Sequence, residues 1–275
     1  MTSREASDDG RGTGDTGTAP VASSPTAGPE SAPGAPPTAD AVFGTRRPVA
    51  EHFARILADT GVSHGLIGPR EVPILWERHL LNCAVVQPAF PSGAAVVDVG
   101  SGAGLPGLAL AIARPDLHLH LVEPMLRRTN WLSATIEELE LGNCTVHRGR
   151  AEEFHGSLSA PFATARAVAR IDKLARWTFP LLRDGGTLVA LKGDSAAAEL
   201  EAEEKALRKL GMTAARIEVY GADVLPVPTT TLQLTIGTRP APRAAAKRRT
   251  ERRSERRPDR GSATDPQRGG KHHPR

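Results

Sequence analysis

Cysteine is nearly absent from this chain. Two occur in 275 residues, Cys83 and Cys144, far apart in sequence. No disulfide framework and no metal-ligand spacing follows from so few. Long apolar runs are missing too. The longest, about Leu105–Ala113, is too short to span a bilayer. The N-terminus, Met-Thr-Ser-Arg-Glu-Ala-Ser-Asp-Asp-Gly, has no apolar h-region, so no secretory signal is expected. These absences point to a soluble, intracellular, cytoplasmic protein. Of the nine histidines only two pairs are close: His118 with His120, and His272 with His273. The first pair shares one face of a predicted strand, with no Cys, Asp or Glu nearby to complete a ligand set. No metal is expected, and no Ser/His/Asp arrangement is found.

Charge is unevenly distributed. Residues 1–40 carry two basic against six acidic side chains, and residues 240–275 carry twelve basic against four acidic. The stretch between is balanced, so the high isoelectric point belongs to the tail. The first forty residues are rich in Gly, Pro, Ser, Thr and Ala with almost no large apolar side chain. Such a segment cannot bury enough surface to offset its ordering entropy. The Arg-rich end, broken by Pro, Gly and Ser, reads the same way. The expected organisation is a disordered leader (1–40), an N-terminal helical cap (41–92), a core (93–239) and a disordered basic tail (240–275).

Within the body, Val49, Phe53, Ile56 and Leu57 fall on one helical face. A second helix is predicted over about 72–87, with Pro73 tolerated in its first turn and Arg78 and His79 on its polar side. Strands then alternate with helices. Strands are predicted at 94–99, 117–122, 144–147, 162–167 and 187–191, with helices near 106–113, 125–141, 172–182 and 195–210. Two last strands fit 215–220 and 230–237. Strands separated by helices imply a doubly wound, Rossmann-like α/β fold with a mostly parallel sheet of seven strands. Ligands bind such sheets beyond the C-terminal strand ends.

The stretch Val96-Val97-Asp98-Val99-Gly100-Ser101-Gly102-Ala103-Gly104-Leu105-Pro106-Gly107 reads as a buried strand, a glycine turn and a helix start. It admits two readings. Gly102 to Gly107 formally match G-x-G-x-x-G, with Glu123 about twenty residues on, as a dinucleotide site requires. Asp98 at the strand end disfavours a pyrophosphate but would attract an ammonium or sulfonium cation. Glu123, Ala151-Glu152 and Arg166 all fall at or just past predicted strand ends. Arg166 stands in an otherwise apolar stretch, where a charge needs a partner or a task.

Asp-x-Gly-x-Gly-x-Gly after an apolar strand resembles motif I of the class I S-adenosylmethionine-dependent methyltransferases. The full segment Asp98 to Gly107, ending Gly-Leu-Pro-Gly, resembles more narrowly the bacterial small-subunit ribosomal RNA guanine-N7 methyltransferase family, also called glucose-inhibited division protein B. Arg78-His79-Leu80-Leu81, Arg150-Ala151-Glu152-Glu153-Phe154, Thr164-Ala165-Arg166-Ala167 and Leu191-Lys192-Gly193 match it in order and spacing, over roughly residues 42–238. The resemblance implies the class I methyltransferase fold with an N-terminal helical extension. It also implies methyl transfer from S-adenosylmethionine to N7 of a guanine in 16S rRNA of the small ribosomal subunit. The cofactor-binding residues it implies are Asp98, Gly100, Gly102, Leu105, Glu123, Ala151, Glu152 and Arg166. Arg78, His79, Arg170 and Lys192 are the substrate-side candidates, and no general base is needed because N7 carries a lone pair and no proton. The expected partner is the 16S rRNA, with no membrane, no metal and no second copy of the chain. Alternatives are a methyltransferase acting on another substrate, or a non-catalytic RNA-binding protein that keeps the pocket. Deleting residues 240–275 should weaken RNA binding at low salt and leave cofactor affinity unchanged; the salt dependence of RNA affinity, with and without the tail, checks this.

Overall fold

A computed structural model describes residues 32–238. Residues 1–31 of the expected disordered leader and all of the expected disordered basic tail (240–275) lie outside the described residues. Residues 32–40, expected as part of that leader, are packed. Helix α1 (Ala39–Phe43) buries Ala39, Val42 and Phe43. The Trp76 indole N–H donates to the Pro33 carbonyl at 2.9 Å, and the Phe43 ring stands edge-on to Trp76 with centroids 6.3 Å apart. One aromatic from the following segment therefore gives this polar stretch an anchor that composition does not reveal.

Seven strands form one sheet: β1 (Ala95–Val99), β2 (His118–Glu123), β3 (Cys144–Arg148), β4 (Ala160–Arg166), β5 (Leu182–Lys192), β6 (Met212–Tyr220) and β7 (Thr229–Ile236). Their order is β3-β2-β1-β4-β5-β7-β6. Strands β1 to β5 run parallel, and β7 is antiparallel to both β5 and β6. The central strands are apolar on both faces, as a sheet covered by helices on each side requires. The chain winds outward from β1 through β2 to β3, then crosses back to β4. The direction of winding therefore reverses between β1 and β4, and ligands bind open α/β sheets at such points.

Helices α4 (Gly107–Ala113), α5 (Leu126–Glu138), α6 (Ile171–Thr178) and α7 (Ala196–Lys209) connect the strands. The N-terminal segment contributes α2 (Arg47–Ile56) and α3 (Asn82–Ala84). Phe53, Leu57, Leu75 and Leu80 of this segment share one apolar cluster with Leu108, Leu110 and Ile112 of α4. The segment is thus a layer of the core on the α4 face of the sheet. The opposite face packs against Ile171, Leu174 and Leu207, from α6 and α7.

Two local features differ from the sequence pattern. The helix expected over 72–87 is broken into a 3-10 turn (Pro69–Ile74), a π-helical turn (Trp76–Leu81) and the short α3. Pro73 lacks the N–H that a regular helix needs, and the wide π turn carries Arg78 and His79. Strand β5 begins at Leu182 rather than near 187, with an irregular register against β4 between Ala160 and Phe162. Trp76→Phe removes one buried N–H donor and should cost about 1 kcal/mol. Denaturant unfolding checks the cost, and limited proteolysis should show faster cleavage within 32–46.

Candidate active site

The turn after β1 is held by two carboxylates on adjacent strand ends. Asp98 is fully buried. Its Oδ2 accepts the Gly107 N–H at 3.1 Å, tying β1 to the start of α4, while Ser101 Oγ donates to the Asp98 carbonyl at 3.0 Å. A Cβ on Gly107 would stand 2.6 Å from that carboxylate and collide with Leu121, so the close approach needs glycine. Glu123, at the end of β2 and 2% exposed, holds the other side of the turn. Its Oε2 accepts the Gly102 N–H and its Oε1 the Met125 N–H, each at 3.1 Å. Gly100 adopts φ +75°, and a Cβ there would approach Val168 to 3.0 Å. That side of the turn is therefore bare backbone.

A cavity of 380 Å³ opens at this point, within the size range of small-molecule sites. Gly100, Glu123, Ala151, Glu152 and Arg166 all line it, so five of the eight expected cofactor residues come together on one wall system. Asp98, Gly102 and Leu105 are not on its lining. Asp98, expected to attract a ligand cation, directs its Oδ2 to the Gly107 N–H at the start of α4. Period-two alternation places it with Val96, whose side packs on the α4 face, whereas Val97 and Val99 pack on the other. Gly102 acts through its N–H on Glu123, and Leu105 packs against the apolar cluster of the helical layer.

Other cavity residues carried no sequence signal. Trp177 comes from α6; its carbonyl accepts His155 Nε2–H at 3.1 Å, and Lys173 Nζ lies 5.0 Å from its ring centroid. Arg128, from the first turn of α5, also lines the cavity, with its Nη1 3.8 Å from Glu123 Oε2.

A second, wider cavity of 650 Å³ adjoins the first. Arg166 and Ala167 line both. Ala167 sits at φ +54°, a left-handed conformation that costs an alanine about 1–3 kcal/mol and persists where the surrounding structure over-determines it. Arg78, Asn82 and Lys192 line the wide cavity, together with residues 225–230 at the end of the β6–β7 loop and the start of β7. Asn82 Nδ2–H donates to Thr229 Oγ1 at 2.7 Å, and Thr229 Oγ1–H returns to the Asn82 carbonyl at 2.9 Å. This reciprocal pair ties the helical layer to the loop that forms the cavity's lip.

The four substrate-side candidates separate. Arg78 is on the wide cavity and 66% exposed, 3.4 Å from Glu71. His79 contacts Arg166. Lys192 is on the cavity wall, but its ammonium is committed to the Ala169 carbonyl (3.1 Å) and Glu199 (2.8 Å). Arg170 lines neither cavity; it is an exposed residue paired with Glu203 of α7. Both acidic partners come from α7, remote in sequence. Among the described residues no helix is long and apolar enough to cross a membrane.

A glycine turn after β1, an acidic residue ending β2 and a cavity at the β1/β4 crossover define a class I S-adenosylmethionine-dependent methyltransferase. A solved structure of the S-adenosylmethionine-dependent methyltransferase SibL, in its apo form, matches with a TM-score of 0.50 and 18% identity over 68% of this chain and 62% of that one; this likeness concerns the fold alone. The family described as "GidB: rRNA small subunit methyltransferase G" matches residues 47–225, and the chain belongs to it. It is 54% identical over 208 residues to the ribosomal RNA small subunit methyltransferase G of Thermobifida fusca, covering 73% of this chain and 87% of that protein. The protein of the same name from Streptomyces coelicolor is 52% identical over 218 residues, covering 78% and 91%.

Burial pushes the Asp98 carboxyl up to about 7, and its Oδ1 has no hydrogen-bond partner. Because the folded value exceeds the unfolded one, this group's contribution to stability is greatest below about pH 4 and is lost as pH rises to about 7. Asp98→Asn cannot ionise. Its unfolding free energy should fall less than the wild type's between pH 5 and 8, by roughly 3 kcal/mol, as read from urea denaturation at each pH.

Proposed function

We propose that this methyltransferase acts on N7 of a guanine in 16S rRNA, with the narrow cavity holding S-adenosylmethionine and the wide cavity receiving the guanosine. The observation that carries this reading is the pair of cavities meeting at Arg166 and Ala167. When bound, the cofactor supplies an electrophilic methyl group on a sulfonium, and N7, with its free lone pair and no proton, accepts it without a base.

The chain's own residues fit these two occupants. Each Glu123 oxygen accepts one backbone N–H and keeps a second lone pair, so the carboxylate can take a ribose diol. The backbone at Gly100 leaves close room for the methionine end, and Ala151 and Glu152 border the side that suits adenine. Neither Arg166 nor Ala167, the residues at the junction, is a base. Catalysis then rests on holding acceptor and donor in line. Arg78 at the open rim offers a phosphate contact. Arg170 pairs with Glu203 of α7 away from both cavities, and Lys192, paired with Glu199, remains on the wall of the wide one.

The RNA must present an unstacked base to reach the junction. Mass mapping of 16S rRNA from cells lacking the protein should show one N7-methylguanine lost. The wild-type gene should restore it, and Gly100→Val, which fills the space against Val168, should not. An unchanged set of N7-methylguanines in the deletion strain refutes the guanine-N7 reading.

A further inference from the structure

Arg166 is held in an unusual way. Its Nη1 donates to Cys83 Sγ at 3.0 Å, and its Nη2 lies 3.0 Å from His79 Nδ1. Arginine has donors only, so His79 Nδ1 is the acceptor. The imidazole proton is then on Nε2, which donates to Glu71 Oε2 at 2.8 Å. Both ring nitrogens are thus assigned by their neighbours. Burial first, and then the adjacent guanidinium, push the His79 pKa down, so the ring is neutral.

The ring has a consequence for charge. Both side chains bonded to Arg166, the His79 imidazole and the Cys83 thiol, are neutral, the thiol because burial pushes its pKa up. A carboxylate bonded directly to the guanidinium would orient it and cancel its charge together. The imidazole passes on the orientation set by Glu71 and leaves the charge in place. The charged groups facing His79 are Glu71 from the 3-10 turn, Arg78 from its own segment and Arg166 from β4. Glu71 is shared, since Arg78 Nε lies 3.4 Å from the same oxygen.

We infer that His79 is a positioning residue that acts through Arg166: as a neutral ring protonated at Nε2, it holds an un-neutralised guanidinium at the junction of the two cavities, where it takes the carboxylate of an amino-acid-type cofactor. This rests on the cofactor reading given above. Protonating His79 turns Nδ1 into a donor facing a guanidinium N–H, with two cations in contact. Arg166 must then shift, and cofactor affinity falls as the ring gains its proton.

Two measurements test this. In the free protein, long-range proton–nitrogen NMR of labelled histidine at pH 7.5 should show His79 with bare Nδ1 and protonated Nε2. The opposite tautomer, or a cationic ring, overturns the inference. Calorimetry of S-adenosylhomocysteine binding from pH 5.5 to 8 supplies the second readout. Wild-type affinity should drop on acidification. His79→Asn, whose amide oxygen can occupy the Nδ1 position but does not titrate, should bind within about threefold of wild type at pH 7.5 and lose that drop. His79→Leu should bind about tenfold more weakly at every pH. An Asn variant as weak as the Leu variant, or one with the wild-type pH profile, assigns His79 to packing and overturns the inference. If the wild type fails to bind S-adenosylhomocysteine at any pH, the cofactor reading itself fails, a result distinct from equal binding by all three proteins.

Discussion

The bond from the Gly107 N–H to the buried Asp98 carboxylate is the constraint on which the site depends. It closes the corner between β1 and α4, so the intervening turn has fixed ends. Glu123 then holds the turn's middle from the next strand through Gly102. Two acidic side chains, neither more than 2% exposed, thus do the work of shaping backbone. Their burial is costly unless hydrogen bonds satisfy them, and the turn supplies N–H donors to both. The narrow cavity is the space this corner leaves at the sheet's crossover, with Gly100 contributing no side chain to fill it.

The N-terminal helical layer has a different task. Its apolar face completes the core on the α4 side, and its polar residues reach the C-terminal edge of the sheet. Two of them, His79 and Cys83, grip Arg166. A third, Asn82, exchanges hydrogen bonds with Thr229 at the start of β7 and so fixes the end of the loop before it. The wide cavity therefore has one wall from the N-terminal segment and one from the β6–β7 loop and the start of β7, joined by the Asn82–Thr229 hydrogen bonds and by the packing of Leu225 in the apolar cluster. Removing the layer would expose the core and also release both the arginine and the lip.

Much of this was legible in the residues. Alternating apolar strands and amphipathic helices specify the sheet, and the glycines after β1 mark its ligand edge. Gly100, Glu123, Ala151, Glu152 and Arg166 could be placed there because each ends or follows a strand. Asp98 shows how strand parity carries direction: it alternates with Val97 and Val99, and its carboxylate meets the Gly107 N–H of α4. Arg170 and Lys192 show what was not legible, because Glu203 and Glu199, which occupy them, lie on α7 and meet them only through tertiary packing. Trp177 sits on an amphipathic helix with nothing local to mark it as a cavity residue. The anchoring of residues 32–40 likewise depends on Trp76, some forty positions away. Local pattern reports which residues are buried or at a strand end; it does not report which partner, far along the chain, takes up a charge.

The most direct test of the central claim uses purified components. Protein, S-adenosylmethionine labelled in its methyl group and small ribosomal subunits from a strain lacking the protein are incubated, and the 16S rRNA is digested to nucleosides. A single labelled product, N7-methylguanosine, is expected. Label on any other base atom or on the ribose, or no transfer to 16S rRNA while the protein binds S-adenosylhomocysteine, would contradict it.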